Sequence, residues 1–484
     1  MKMICMGITH SVDMDKYVMG SYTHKQLSPG RILVTAPHGG WAILDDAEFK
    51  LLRLGEVEKD SNLYSLLFNE GIILSENNIP LATNQCRNKL AQLSSATTLH
   101  ILTPTLRCNQ KCVYCYAASK PEGDKTYDMT EDTAKAVVDF IFQSPSNKLT
   151  IEFQGGEPLL NFDIVKFVVN YANKKAKETK KEINFRIVTN LTIMDDEKLS
   201  WLVKNKIPLN SSFDGPKIVH DTNRFYDNGM GTYDDVTAWI KKLRDNGIPV
   251  AFMPTITSHS LPYWKEIIDE YLKFGQNRFW ARRMNVGGFA VDTWKKIGYT
   301  SEEYLDFWKK GLDYIIELNK DGKEVVEGTI DIFLKNIIFS KKYQGFVCLA
   351  SPCGCAWSQV AYNYKGDIYT CDEARSFDVF KLGNVKETTY KDLYSSWDVL
   401  DIVDMTTGES FDCAECVYHP FCGPCIVDEY GEHGNIIKKP NSFNCRVKKG
   451  IFEHIFNNLM EDKDKWDIVK GWVIPKNKND LIKC

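Results

Sequence analysis

Cys108, Cys112 and Cys115 fall within eight residues, directly after an apolar, strand-like stretch, in the spacing C-x3-C-x2-C. Thiolates bind zinc and iron-sulfur centres alike, and a structural site of either kind normally recruits four protein ligands. Three thiolates hold only three corners of a four-iron cluster, which leaves one iron open to a small molecule. Further along come Cys348, Cys353, Cys355 and Cys371, then Cys413, Cys416, Cys422, Cys425 and Cys445, these last five spaced C-x2-C-x5-C-x2-C-x19-C. Of fifteen cysteines only Cys5, Cys86 and Cys484 lie well outside these groups. A disulfide scaffold would spread its bridges more evenly, and a reducing cytoplasm keeps thiols free, so the pattern points to metal.

A chain of 484 residues is too long for one ordinary domain, and 43% hydrophobic with 26% charged residues can cover a large core. The net charge of -4 offers no whole-chain attraction to nucleic acid or an anionic membrane. His10, Asp13 and Asp15 interrupt the N-terminus before it can form the apolar core of a signal peptide. No stretch approaches the ~20 apolar residues of a membrane-spanning helix. The expectation is a cytoplasmic protein with neither a nucleic-acid nor a membrane partner.

The positioning elements divide the chain into five parts. In residues 1–95, two short strands flank the turn Pro37-His38-Gly39-Gly40, Asp45 or Asp46 caps a helix, a second helix follows near 63–68, and 71–74 return as a strand. This predicts a compact winged-helix-like module. Residues 96–290 alternate strand and helix, with strands at 98–102, 149–153, 184–189, 208–213 and 250–256. Such alternation argues for an α/β fold with a parallel sheet wrapped by helices, whose ligands collect at the carboxyl ends of the strands. Residues 291–345 read as a cysteine-free helical bridge. Residues 346–450 are cysteine-rich, and 451–484 form a helical tail with an apolar stripe over 451–461.

Three motifs sit at strand ends. Gly155-Gly156-Glu157-Pro158 follows the strand ending at Phe153; Asn190 ends the next, and Ser212 the one after. Glycines let backbone approach a ligand closely, and short amide and hydroxyl side chains suit ribose hydroxyls. Arg224 offers a guanidinium matched to a carboxylate, and Tyr114 an aromatic face. Singly, Glu157, Asn190, Ser212 and Arg224 also fit turn chemistry and helix capping. In this order, after C-x3-C-x2-C with an aromatic residue before its last cysteine, they resemble the radical S-adenosylmethionine (AdoMet) enzymes. The resemblance implies a partial (β/α)6 barrel in which Cys108, Cys112 and Cys115 hold an AdoMet-cleaving 4Fe-4S cluster. It further implies that Gly155, Gly156 and Glu157 hold the AdoMet amino group, Asn190 and Ser212 the ribose, Arg224 the carboxylate and Tyr114 the adenine. An electron donor such as flavodoxin or ferredoxin would feed the cluster.

Cys353 and Cys371 frame a β-hairpin as C-x12-G-x4-C. With the later cysteines this resembles the SPASM domain of radical AdoMet enzymes that modify peptides, although the spacing before Cys425 is one residue short of that pattern. The resemblance implies two auxiliary 4Fe-4S clusters, three in all. One would be held by Cys348, Cys353, Cys371 and Cys425, with Cys355 competing for the place of Cys353; the other by Cys413, Cys416, Cys422 and Cys445. The two C-x2-C pairs alone would also make a zinc knuckle. The runs 351–354, 359–375 and 381–384 look closest to the His-Xaa-Ser system maturases, which implies carbon-carbon crosslinking (cyclophane formation) in a ribosomally made precursor peptide. The leader of that peptide would be bound by the N-terminal module, which could equally be a structural cap. Asp214, Asp372 and Glu373 are candidates for a general base. An anaerobic sulfatase-maturating enzyme, other SPASM peptide chemistry (a thioether crosslink or epimerisation) and a zinc-binding cysteine-rich protein are the alternatives.

Overall fold

A computed structural model describes residues 17–341, 348–407, 413–436 and 441–474. The readings made on residues 1–16 and on the last ten residues of the tail lie outside the described residues. One eight-stranded sheet organises the molecule, in the order Val250–Phe252, Leu209–Ser211, Glu182–Thr189, Lys148–Phe153, Leu99–Leu102, Gln359–Tyr362, Asp367–Tyr369 and Lys381–Asn384. The first six run parallel to one another, and the last two follow antiparallel. Alternation within the strands sets their burial: Leu149, Ile151 and Phe153 are fully buried, while the residues between them are partly exposed. Against them pack Val137, Val138 and Ile141 of the helix Glu131–Ile141 and Val165, Val168 and Val169 of the helix Phe162–Thr179. Thr130 and Asp195 accept the N3 amides of their helices, as N-caps do.

The expected sixth barrel strand shrinks to Arg278–Phe279, which leaves the main sheet and pairs with Val326–Glu327, touching the barrel through the bridge Ile256–Arg283. The place beside the first barrel strand is taken instead by the cysteine hairpin, because Gln359–Tyr362 runs parallel to Leu99–Leu102 with Gln359 opposite Leu99. Two expected boundaries also move. The helix Phe289–Ile297 crosses 290/291, and the helix Phe443–His454, which carries Cys445, crosses 450/451 before a π-helical turn over Ile455–Leu459. Among the described residues no helix is long and apolar enough to cross a membrane.

The N-terminal module is a three-stranded antiparallel sheet of Thr23–Ser28, Arg31–Thr35 and Trp41–Leu44, with helices Asp46–Leu54, Asn62–Asn69 and Ile79–Lys89. Asp45 forms a full capping box with Glu48. The period-two pattern of the central strand serves two cores. Ile32 and Val34 face the module's own core, and Leu33 faces the main one. Thr35 Oγ1 donates to Val417 O at 2.9 Å and Trp41 Nε1 to Ile337 O at 3.1 Å, which ties the module to the cysteine-rich segment and the helical bridge.

Candidate active site

The loop that follows the strand Leu99–Leu102 carries the three cysteines, and Arg107 holds it in shape. Its guanidinium pairs bidentately with Asp128, at 2.7 and 2.9 Å, and also donates to Glu122 O and Leu160 O. Gly155 and Gly156 close against the same loop, with Gly156 N donating to Thr105 O at 3.0 Å. A Cβ at Gly155 would strike Thr105 O and one at Gly156 would strike Arg107 O, and Gly155 has φ +140°. The glycines are therefore required by backbone meeting backbone.

One cavity at the carboxyl ends of the parallel strands is lined by Cys108, Cys112 and Cys115, with Tyr114, Gly155, Gly156, Asn190, Ser212 and Arg224 around them. Asn190 Nδ2 donates to Asn109 Oδ1 at 3.0 Å and lies 3.8 Å from Cys108 Sγ. Arg224 crosses the Tyr114 ring at 5.1 Å and places Nη1 3.5 Å from Cys112 Sγ. Burial pushes the Cys112 thiol up to about 12 even with Arg224 opposing, and it raises Cys108 well above the usual thiol range. Such thiols stay protonated until a metal ion displaces the proton.

Glu157 is not among the residues that line this cavity. Its carboxylate is fully buried and accepts from Thr189 Oγ1 at 2.9 Å, Asn190 N at 2.7 Å and Leu159 N at 3.0 Å. Burial outweighs these donors and raises its ionisation to about 7. It fastens one strand end to the next, leaving the ligand-facing surface of the motif to the glycines. Asp214 is likewise committed: it accepts from Tyr114 Oη at 2.6 Å, Asn223 Nδ2 at 3.2 Å and Thr255 N at 3.1 Å, and pairs with Arg224 at 3.3 Å. Asp372 accepts from Tyr116, the residue after Cys115, and pairs with Arg375; the Tyr116 hydroxyl also lies 3.1 Å from Gln154 Oε1 on the cavity wall. Glu373 faces Asn285 at 3.2 Å and Arg282 at 3.4 Å.

The later cysteines gather in two places. Cys353, Cys355, Cys371 and Cys425 share one packed cluster with Ile101 and Phe380, and Cys348 lies within electrostatic reach of Cys353. A hydrogen bond couples Cys353 to Cys355 and holds Cys355 well above the usual thiol range. Cys413, Cys416, Cys422 and Cys445 line a second cavity, whose wall includes Cys425. Burial pushes Cys422 up to about 12. Among the described residues no three metal-binding side chains converge on a single ion.

Thiols short of a full ligand set, glycine backbone and strand-end polar groups thus surround one cavity. Residues 102–279 match the family model described as the Radical SAM superfamily, so the chain carries a radical SAM domain, which implies an AdoMet-binding 4Fe-4S cluster. Among curated relatives, the cysteine-type anaerobic sulfatase-maturating enzyme of Clostridium perfringens is 23% identical over 361 residues, 73% of this chain and 94% of that protein. The structure of native anSMEcpe with bound AdoMet and Cp18Cys peptide superposes with a TM-score of 0.65 at 19% identity, covering 77% of this chain and 99% of that one. Streptococcus suis SuiB bound to precursor peptide SuiA gives 0.53 at 17% identity, over 88% of this chain and 99% of that one. At these identities the solved structures establish likeness of fold.

Proposed function

We propose that this enzyme modifies a ribosomally made precursor peptide, removing a side-chain β-hydrogen and joining the carbon so exposed to an aromatic ring of the same peptide. The observation behind this reading is one hydrogen bond, from Tyr116, next to Cys115, to Asp372, next to Cys371. It joins the wall of the AdoMet cavity to the first group of later cysteines. When bound, the cluster and AdoMet supply an electron and a deoxyadenosyl radical. Cys108, Cys112 and Cys115 are the thiols for that cluster, Arg224 meets a carboxylate, and Asn190 with Ser212 orients hydroxyls. Crosslinking releases a proton and an electron from the ring. Asp372, oriented by Tyr116 and by Arg375, takes the proton. Cys348, Cys353, Cys371 and Cys425, and Cys413, Cys416, Cys422 and Cys445, would hold the two clusters suited to accept the electron. The peptide-bound neighbour spans 88% of this chain, and that extent supports a peptide substrate with its leader on the N-terminal module.

Anaerobic co-expression with a short reading frame adjacent to the gene, followed by tandem mass spectrometry, tests the reading. Loss of two hydrogens mapped between two side chains supports it, and an unmodified peptide refutes it. Formylglycine on a sulfatase peptide would place the chain with the sulfatase maturases instead. A Cys112→Ala variant that still released deoxyadenosine would remove the three-cysteine site from the mechanism.

A further inference from the structure

Lys448 is a buried lysine on a cavity wall that also carries Glu429. Its side chain is 6% exposed, on the wall of the cavity formed by Cys413, Cys416, Cys422 and Cys445. One of its three donor positions goes to Gly423 O at 2.5 Å, and among the described residues it has no ion-pair partner. A buried cation is costly unless an anion lies nearby. Gly423 sits between Cys422 and Cys425 and packs backbone to backbone on the first cysteine group, since a Cβ there would strike Ala350 O and reach within 3.1 Å of Cys353 N. The lysine is thus anchored on a backbone carbonyl that packs against the first cysteine group.

We propose that Lys448 is a positioning residue for electron transfer, its charge raising the reduction potential of the cluster held by Cys413, Cys416, Cys422 and Cys445. A four-thiolate cluster is anionic and becomes more so on reduction, so a fixed neighbouring cation favours the reduced state; net charge and hydrogen bonding near the sulfurs are the established levers on such potentials. The proposal rests on the reading that these four thiols hold iron.

The test is an EPR-monitored redox titration of the full chain, reconstituted without oxygen, as wild type, Lys448→Gln and Lys448→Arg, with iron and sulfide measured on each. The glutamine variant keeps a donor for Gly423 O and loses the charge. Its midpoint shifts downward at unchanged iron content, while the arginine variant stays at the wild-type value. An unshifted glutamine variant with full iron overturns the proposal, and so does loss of iron from that variant, which would make Lys448 structural. A Cys422→Ser variant that keeps the full wild-type iron content overturns the cluster reading beneath it.

Discussion

Arg224 stands directly across from Cys112 in a two-stranded antiparallel ladder, and its guanidinium returns over Tyr114 to reach the same cysteine. Backbone pairing and side-chain charge therefore fix one relationship twice. Arg224→Lys keeps a charge but loses the stack, and AdoMet affinity measured anaerobically by calorimetry falls about tenfold, or about 1.4 kcal/mol. Arg224→Met leaves Asp214 buried without its cation and lowers stability by about 3–5 kcal/mol, seen as an early thermal transition.

Gly156→Ala places a Cβ against Arg107 O and Leu106 O, in the loop that presents Cys108. The loop must shift, and reconstituted iron falls by the share of one cluster while the later cysteines keep theirs. Iron and sulfide assays check this, and an undiminished iron content would show that the loop yields without harm.

The buried Glu157 gives a pH signature. Its ionisation rises from the ordinary 4.5 to about 7. A raised value contributes stability that is fully present below about pH 4.5 and is lost as pH rises through 7, by up to about 3 kcal/mol at 1.36 kcal/mol per unit. The thermal midpoint of metal-free wild type exceeds that of Glu157→Gln by more at pH 5.5 than at pH 8.5. A gap that does not change with pH would contradict the raised ionisation.

Tyr116→Phe and Asp372→Asn separate radical formation from product formation. Deoxyadenosine release continues, because neither side chain is one of the three cluster thiols, while crosslinked peptide falls by about 10²–10⁴ if Asp372 takes the proton. Equal loss of both products would assign the pair to the fold of the cavity instead.

Much of this was legible because it is local. The spacing of Cys108, Cys112 and Cys115 and the strand-helix alternation are short-range patterns, and the parallel strands and the Asp45 cap lie where periodicity and capping chemistry place them. What stayed hidden is long-range or polar. Tyr116 and Asp372 are 256 residues apart, and no periodicity announces their contact. Thr23–Ser28 has an exposed, polar strand sequence without an apolar alternation to mark it. Arg107 reads as an ordinary charged residue until Asp128, Glu122 and Leu160 are seen around it. The direction Glu157 takes, into a buried hydrogen-bond set with Thr189, Asn190 and Leu159, is not legible either, because a motif gives residue order and not the course of a side chain at a strand end.

The pairing of Leu99–Leu102 with Gln359–Tyr362 has a consequence in time. At a synthesis rate of about 5–20 residues per second, the strand that leads into the cysteine loop waits on the order of 10 to 50 s on the ribosome before its final neighbour is made. Throughout that interval its edge is bare and open to pairing with another chain. The nascent barrel is thus most exposed to misassembly while its first thiols await metal, so yield in a heterologous host should respond to iron supply during translation as well as after it.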